Sequence, residues 1–187
     1  MNAYDVRRKE RPSKEYFKSG ALRSIYFDEI TEVLTPIGAL PAELLTYYED
    51  GSINRLFPLY GMITAYWTED DEFTLSKEIT ITTGVYTFSC HALDIHFYPS
   101  GAVQSVTIWP QAPLKFRTPL GVVETRKGVE FYEDGTLKSI EPVFGSRIQT
   151  PNGEIRPFPI NSLKLHAEGN TLQFQPDGEF QLKKLYS

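Results

Sequence analysis

A chain of 187 residues with 41% hydrophobic and 23% charged side chains can bury a core and is not compositionally disordered. Its 24 acidic against 19 basic groups, a net charge of −5, exclude a nucleic-acid binder that works through a cationic face. The single cysteine excludes an internal disulfide framework and fits a reducing compartment.

The first fourteen residues, MNAYDVRRKERPSK, hold five basic and two acidic side chains. They read as a basic, flexible N-terminal tail able to touch a partner or anionic lipid. They contain no apolar run of the kind a secretory signal needs. The longest apolar-leaning run, Gly61 to Trp67, is far too short to span a bilayer. The expectation is therefore a cytoplasmic protein that is not an integral membrane protein, with residues 15–187 forming a single domain.

From residue 15 onward the strongest signal is internal similarity. Five segments align without gaps: Tyr16 to Leu22, Tyr47 to Ile53, Phe97 to Val103, Phe131 to Leu137 and Phe174 to Phe180. Each centres on a glycine: Gly20, Gly51, Gly101, Gly135 or Gly178. Tyr or Phe stands four residues before that glycine, Ser or Asp directly before it, and an apolar residue two after it. Ser-Gly and Asp-Gly supply the positive φ of a tight turn, and the flanking aromatic and branched residues favour strands. A two-residue Asp-Gly loop predicts that Tyr132 faces Leu137, with Phe17–Leu22, Tyr48–Ile53, Tyr98–Val103 and Gln175–Phe180 as the equivalent pairs.

A second motif alternates with the first. Thr35-Pro36-Ile37-Gly38, Thr118-Pro119-Leu120-Gly121 and Thr150-Pro151-Asn152-Gly153 share the pattern TPxG, and Ile81-Thr82-Thr83-Gly84 is a degenerate copy. Proline followed two residues later by glycine predicts a type I or II turn. The glycines of the first kind lie 31, 50, 34 and 43 residues apart. The long intervals leave room for further hairpins around Tyr66 to Glu72 and Asn161 to Asn170. Gly and Pro recur too often for a helix, with Pro41 to Tyr48 the one short stretch that has room for one. The predicted fold is all-β: an irregular array of hairpins in an extended, twisted antiparallel sheet or open solenoid-like form, with a barrel as the alternative.

The segments Tyr47 to Ile53 and Phe131 to Ser139 resemble the bacterial variant of MORN repeats. That resemblance implies an elongated antiparallel sheet acting as an interaction or membrane-proximal scaffold. It carries over no functional residue, because the matched positions are turn and core positions. The chain also departs from the pattern in its longer spacing and in having TPxG where such units have a glycine-rich second half.

Candidate chemistry is sparse. Cys90, His91, Asp94 and His96 form the one cluster of metal-ligand types, and on a single strand Cys90, Asp94 and His96 would share a face. Their spacing matches no standard zinc pattern, so the reading is a half-buried cysteine beside two surface histidines. The run Glu69 to Glu72 lacks the alternation and glycine of a calcium loop and reads as a solvated hairpin tip. No nucleophile elbow, phosphate loop or dinucleotide fingerprint is present, and no cofactor is expected. The sequence thus predicts a non-enzymatic scaffold that offers a β surface to a protein partner. The alternative is a carbohydrate-binding or carbohydrate-processing protein using Trp67 and Trp109 beside acidic residues.

Overall fold

The computed structural model describes residues 12–60, 68–157 and 167–183. Its strands are β1 (Lys14–Tyr16), β2 (Leu22–Thr35), β3 (Gly38–Tyr47), β4 (Ile53–Phe57), β5 (Ile79–Thr82), β6 (Thr87–Cys90), β7 (Ala92–Phe97) and β8 (Val103–Ile108). They continue with β9 (Leu114–Thr118), β10 (Gly121–Phe131), β11 (Leu137–Pro142), β12 (Ile148–Thr150), β13 (Gly153–Ile155), β14 (Leu172–Phe174) and β15 (Phe180–Leu182). One antiparallel sheet runs in the order β1-β2-β3-β4-β7-β8-β10-β11-β14-β15, with β9 also paired to β10. The strands β5–β6 and β12–β13 form separate two-stranded sheets. The large sheet does not close into a barrel, and β1 and β15 are its two edges. Lys14 already belongs to β1, where it pairs with Ile25.

The five glycine-centred turns share one geometry. In each, the glycine N–H donates to the carbonyl three residues back, as Gly135 does to Tyr132 at 2.9 Å. The residue three before the glycine donates to the one after it, as Tyr132 does to Thr136 at 2.8 Å. All five glycines have positive φ, between 84° and 91°. This is a type I turn completed by a left-handed glycine, a three-residue hairpin loop in place of the two-residue Asp-Gly loop. The facing pairs are therefore Tyr16–Leu22, Tyr47–Ile53, Phe97–Val103, Phe131–Leu137 and Phe174–Phe180, each one residue from the expected pairing. Asp134 sits at the second loop position, where its Oδ1 accepts from the Thr136 backbone N–H and hydroxyl at 2.8 and 2.6 Å. Asp50 does the same for Ser52.

Successive hairpins are also tied by tyrosine hydroxyls. Tyr48 Oη donates to the Phe97 carbonyl at 2.9 Å, Tyr98 Oη to Phe131 at 3.0 Å, and Tyr132 Oη to Phe174 at 3.0 Å. Each tyrosine lies three residues before its turn glycine, and each acceptor four before the next one. At the same position the first hairpin has Phe17 and the last has Gln175.

The TPxG motifs close two-residue loops, with Thr35 facing Gly38, Thr118 facing Gly121 and Thr150 facing Gly153. In each the threonine hydroxyl donates to the glycine carbonyl, at 2.7, 2.8 and 2.7 Å. These hairpins fold over one face of the large sheet. Leu40, Ala42, Ile81, Phe116, Val123 and Ile148 pack there on Leu56, Ile95, Phe97, Val106, Val129, Phe131, Ile140, Leu172 and Phe174. Phe131 is the centre of the packing, with Tyr86, Phe88 and Phe116 ring centroids 5.9, 6.1 and 6.0 Å away. The two turn types meet directly. Thr83 Oγ1 donates to the Gly135 carbonyl at 3.3 Å, and a Cβ on Gly135 would stand 2.6 Å from the Gly84 nitrogen.

Two local expectations are overturned. Residues 69–73 form a short helix, α1 (Glu69–Phe73), in place of a hairpin tip. Its capping box, Thr68 with Asp71, satisfies the first-turn donors, and its four acidic residues suit the positive end of the peptide dipoles. Pro41 to Tyr47 is extended in β3, because Leu45 and Tyr47 bury on the core side at a period of two. The expected hairpin around Asn161 to Asn170 falls largely outside the described residues. No helix among the described residues is long and apolar enough to cross a membrane.

Candidate functional site: a polar row across the sheet

The face opposite the core is polar, and its register is continuous. Glu15 pairs with Ser24, Ser24 with Thr46, Thr46 with Arg55, Arg55 with His96 and His96 with Ser105. Ser105 pairs with Glu130, Glu130 with Ser139, Ser139 with Gln173 and Gln173 with Gln181. One residue from each of the ten strands thus builds a polar row beside the turn glycines. In four hairpins a bulge at Arg23, Asn54, Gln104 or Lys138 shifts the register by one, which brings the next polar residue into the row. The last hairpin, Phe174 with Phe180, has no such shift.

Neighbours in the row bind one another. Ser24 Oγ donates to Glu15 at 2.9 Å, Ser139 Oγ to Glu130 at 2.9 Å, and Gln181 Nε2 to Gln173 at 3.3 Å. Lys138 Nζ adds an ion pair to Glu130 at 2.7 Å. At the centre, Arg55 Nη1 reaches the fully buried Asp94 at 2.6 Å and Arg55 Nη2 reaches Glu168 at 2.5 Å. His96 Nδ1 lies 2.7 Å from the same Glu168 oxygen, and His96 Nε2 lies 3.1 Å from Tyr48 Oη. Ser105 Oγ donates to Glu168 at 3.0 Å. Burial alone would raise the Glu168 pKa, but the His96 hydrogen bond, the Arg55 charge and the Ser105 hydroxyl together hold it well below the usual carboxylate range.

Glu168 reaches the row because residues 167–171 cross this face of the sheet. The Ala167 N–H donates to Thr107 Oγ1 at 3.0 Å, the Gly169 N–H to Glu130 Oε2 at 3.2 Å, and Asn170 Nδ2 to the Gly128 carbonyl at 3.5 Å. Thr171 is fixed by its N–H and hydroxyl to Glu141, at 2.8 and 2.7 Å. Glycine is required at position 128, chiefly by the neighbouring strand β8 and to a lesser degree by the crossing segment. At Gly128, φ is +138° and a Cβ would stand 1.9 Å from the Val106 carbonyl oxygen and 3.1 Å from Ala167.

On the β1–β4 side no segment among the described residues crosses the row. Glu15, Ser24, Thr46 and Arg55 line a groove of about 400 Å³, together with Arg23, Asn54, Leu44 and the aromatic residues Phe17, Tyr26, Tyr47, Phe57 and Tyr60. The Tyr60 ring stands 5.9 Å from Tyr26 and 5.4 Å from Phe57, at tilted and edge-on angles. The groove therefore combines an aromatic wall with hydroxyl, amide and guanidinium groups.

The residues singled out from sequence lie mostly elsewhere. Gly20, Gly51, Gly101, Gly135 and Gly178 occupy the five turns. Trp67 lies outside the described residues. Trp109 is buried beside Phe73 of α1, at a centroid distance of 6.1 Å, and its indole N–H has no hydrogen-bond partner among the described residues. Cys90 belongs to β6 and packs into the core, where burial pushes its thiol up to about 12. His96 lies on β7 in the polar row with Asp94 beside it on Arg55, whereas Cys90 ends β6 and faces the core, so the expected shared face of Cys90, Asp94 and His96 is not formed; His91 Nδ1 meets Ser76 Oγ at 2.8 Å. Among the described residues no group of three or more His, Cys, Asp and Glu side chains could hold a metal ion. Arg55 and Glu168 are not legible as site residues in the sequence, because strand pairing and the crossing segment bring them to His96. The one signal was the shared parity of Asp94 and His96. No protein-family model, curated protein or solved structure matches the chain.

Proposed function

We propose that the protein is a non-enzymatic scaffold whose polar row receives an extended segment of a protein partner. The observation that carries this reading is the asymmetry of the row. Its centre is crossed by the chain's own residues 167–171, while its β1–β4 side offers the same kinds of polar groups to an open groove. The groups that could serve catalysis are engaged with one another: Asp94 with Arg55, and His96 and Ser105 with Glu168. The recurrence of one turn five times, with tyrosine hydroxyls tying successive hairpins, supports reading the chain as a MORN-like hairpin repeat.

A photo-crosslinking residue placed at Tyr26 or Phe57 in the full chain, expressed in its native host, tests this reading. Protein adducts at these positions are expected, and Thr46→Lys should diminish them. A second reading, a glycan in the groove, is favoured by the Tyr26–Tyr60–Phe57 wall. Absence of protein adducts, together with saturable oligosaccharide binding that Phe57→Ala removes, would replace the first reading by the second.

A further inference from the structure

A second surface lies on the outer side of the β9–β10 hairpin, away from the polar row. Val122 is 66% exposed and Phe144 is 79% exposed, and both line a hollow of about 270 Å³ with Val143, Ser146, Arg147 and Glu124. Leu34 and Val85 are exposed as well, but here two exposed apolar side chains are grouped around one concavity. Cross-strand pairing sets Arg117 beside Val122 and Lys115 beside Glu124. Among the described residues Arg117, Lys115 and Arg147 are exposed and form no ion pair; Arg147 lines the hollow, and Arg117 and Lys115 lie across the β9–β10 ladder from Val122 and Glu124 of its wall, so three cations stand at or beside it against the single carboxylate of Glu124.

This local sign is opposite to that of the chain. Residues 114–128 and 143–156 hold six basic and two acidic groups, whereas the rest of the sequence has 13 basic and 22 acidic. A surface of this kind attracts negative charge, and its apolar floor adds a requirement that a bare polyanion does not meet. We infer that the Val122–Phe144 hollow docks an acidic polypeptide segment that inserts one aliphatic or aromatic side chain between flanking Asp or Glu residues. Together with the groove over β1–β4, this gives the scaffold two binding surfaces of different chemistry.

Panning a random peptide library displayed on phage against the full-length protein tests the inference. The expected consensus has acidic residues on both sides of an apolar anchor. A synthetic peptide of that consensus should bind about tenfold more weakly to Val122→Glu and to Arg147→Glu, which is a loss of roughly 1.4 kcal/mol. Both positions are exposed, so the variants retain the fold. Leu34→Glu, at an equally exposed apolar site elsewhere, should bind as the wild type does. The inference is overturned by a failure to enrich peptides, by a consensus without acidic residues, or by binding insensitive to both substitutions. It is equally overturned if single-stranded RNA binds with the same sensitivity to Arg147→Glu while peptides do not. Thr46→Lys in the groove should leave this peptide unaffected, which separates failure at one surface from failure at the other.

Discussion

The contact between the two turn types can be measured by substituting one glycine against another. Gly51 and Gly135 occupy the same place in the same turn, with φ of +91° and +84°. Alanine in this left-handed conformation costs about 1–2 kcal/mol at either site. The surroundings differ. A Cβ on Gly51 meets nothing within 4 Å, whereas on Gly135 it would stand 2.6 Å from the Gly84 nitrogen, 3.0 Å from its Cα and 3.2 Å from the Val85 nitrogen. Those atoms are backbone and cannot rotate away, so the β5–β6 hairpin must lift, which costs about 1–3 kcal/mol more by analogy with overpacked cores. Gly135→Ala is therefore expected to lose roughly 2–5 kcal/mol in all, against 1–2 for Gly51→Ala. At about 2–4 °C per kcal/mol for a domain of this size, the melting points should differ by roughly 2–12 °C. Urea denaturation with a common m-value would give the same difference as a shift in midpoint. Equal destabilisation by the two substitutions would refute the seating of the Thr83–Val85 turn on the Glu133–Gly135 turn.

Three further outcomes follow from named contacts. Tyr98→Phe and Tyr132→Phe each remove one hydroxyl donated to a carbonyl of the next hairpin, and each should cost about 0.5–1.5 kcal/mol in urea titration, with an unchanged midpoint counting against the tie. Glu168 has a carboxyl held below its usual 4.5, so the stability it confers is present above pH 4.5 and lost as the pH falls below it. Glu168→Gln should therefore be less stable than wild type at pH 7, and the gap should narrow as the pH is lowered below 4.5; a gap independent of pH would show that the charge is not the source. Burial, with Glu78 nearby, raises the Cys90 thiol to about 12, so an aromatic disulfide reagent at pH 8 should label it slowly in the native protein and rapidly in denaturant. Fast native labelling would place the thiol outside the core.

The sequence carried the turns well and the site poorly, and the reason is range. A left-handed glycine preceded by Ser or Asp is a local requirement, so the five turns and their strands could be read directly. Loop length differs from the expectation because Asp-Gly suits both a two-residue loop and the last two positions of a three-residue loop. Asp134 bonding to Thr136 distinguishes them only in three dimensions. The five residues of α1 are too few to show helical periodicity, although Thr68 followed three residues later by Asp71 was a legible cap. The polar row was hidden for another reason. Glu15, Thr46, Arg55, His96, Ser105 and Glu130 become neighbours only through register, and the bulges at Arg23, Asn54, Gln104 and Lys138 offset the spacing that would have exposed them.

Because the strands of the large sheet follow chain order, residues 12 and 183 leave from opposite edges. Tension between these ends would not shear long strands past one another. It would peel β1, held by three paired residues, and β15, held by three more, and then work inward. Each release adds a short length of free chain, at most about 3.3–3.6 Å per residue. The seating of one turn on another, at Thr83 and Gly135, places a brake partway along. Under load such a molecule should lengthen in small steps from its edges inward.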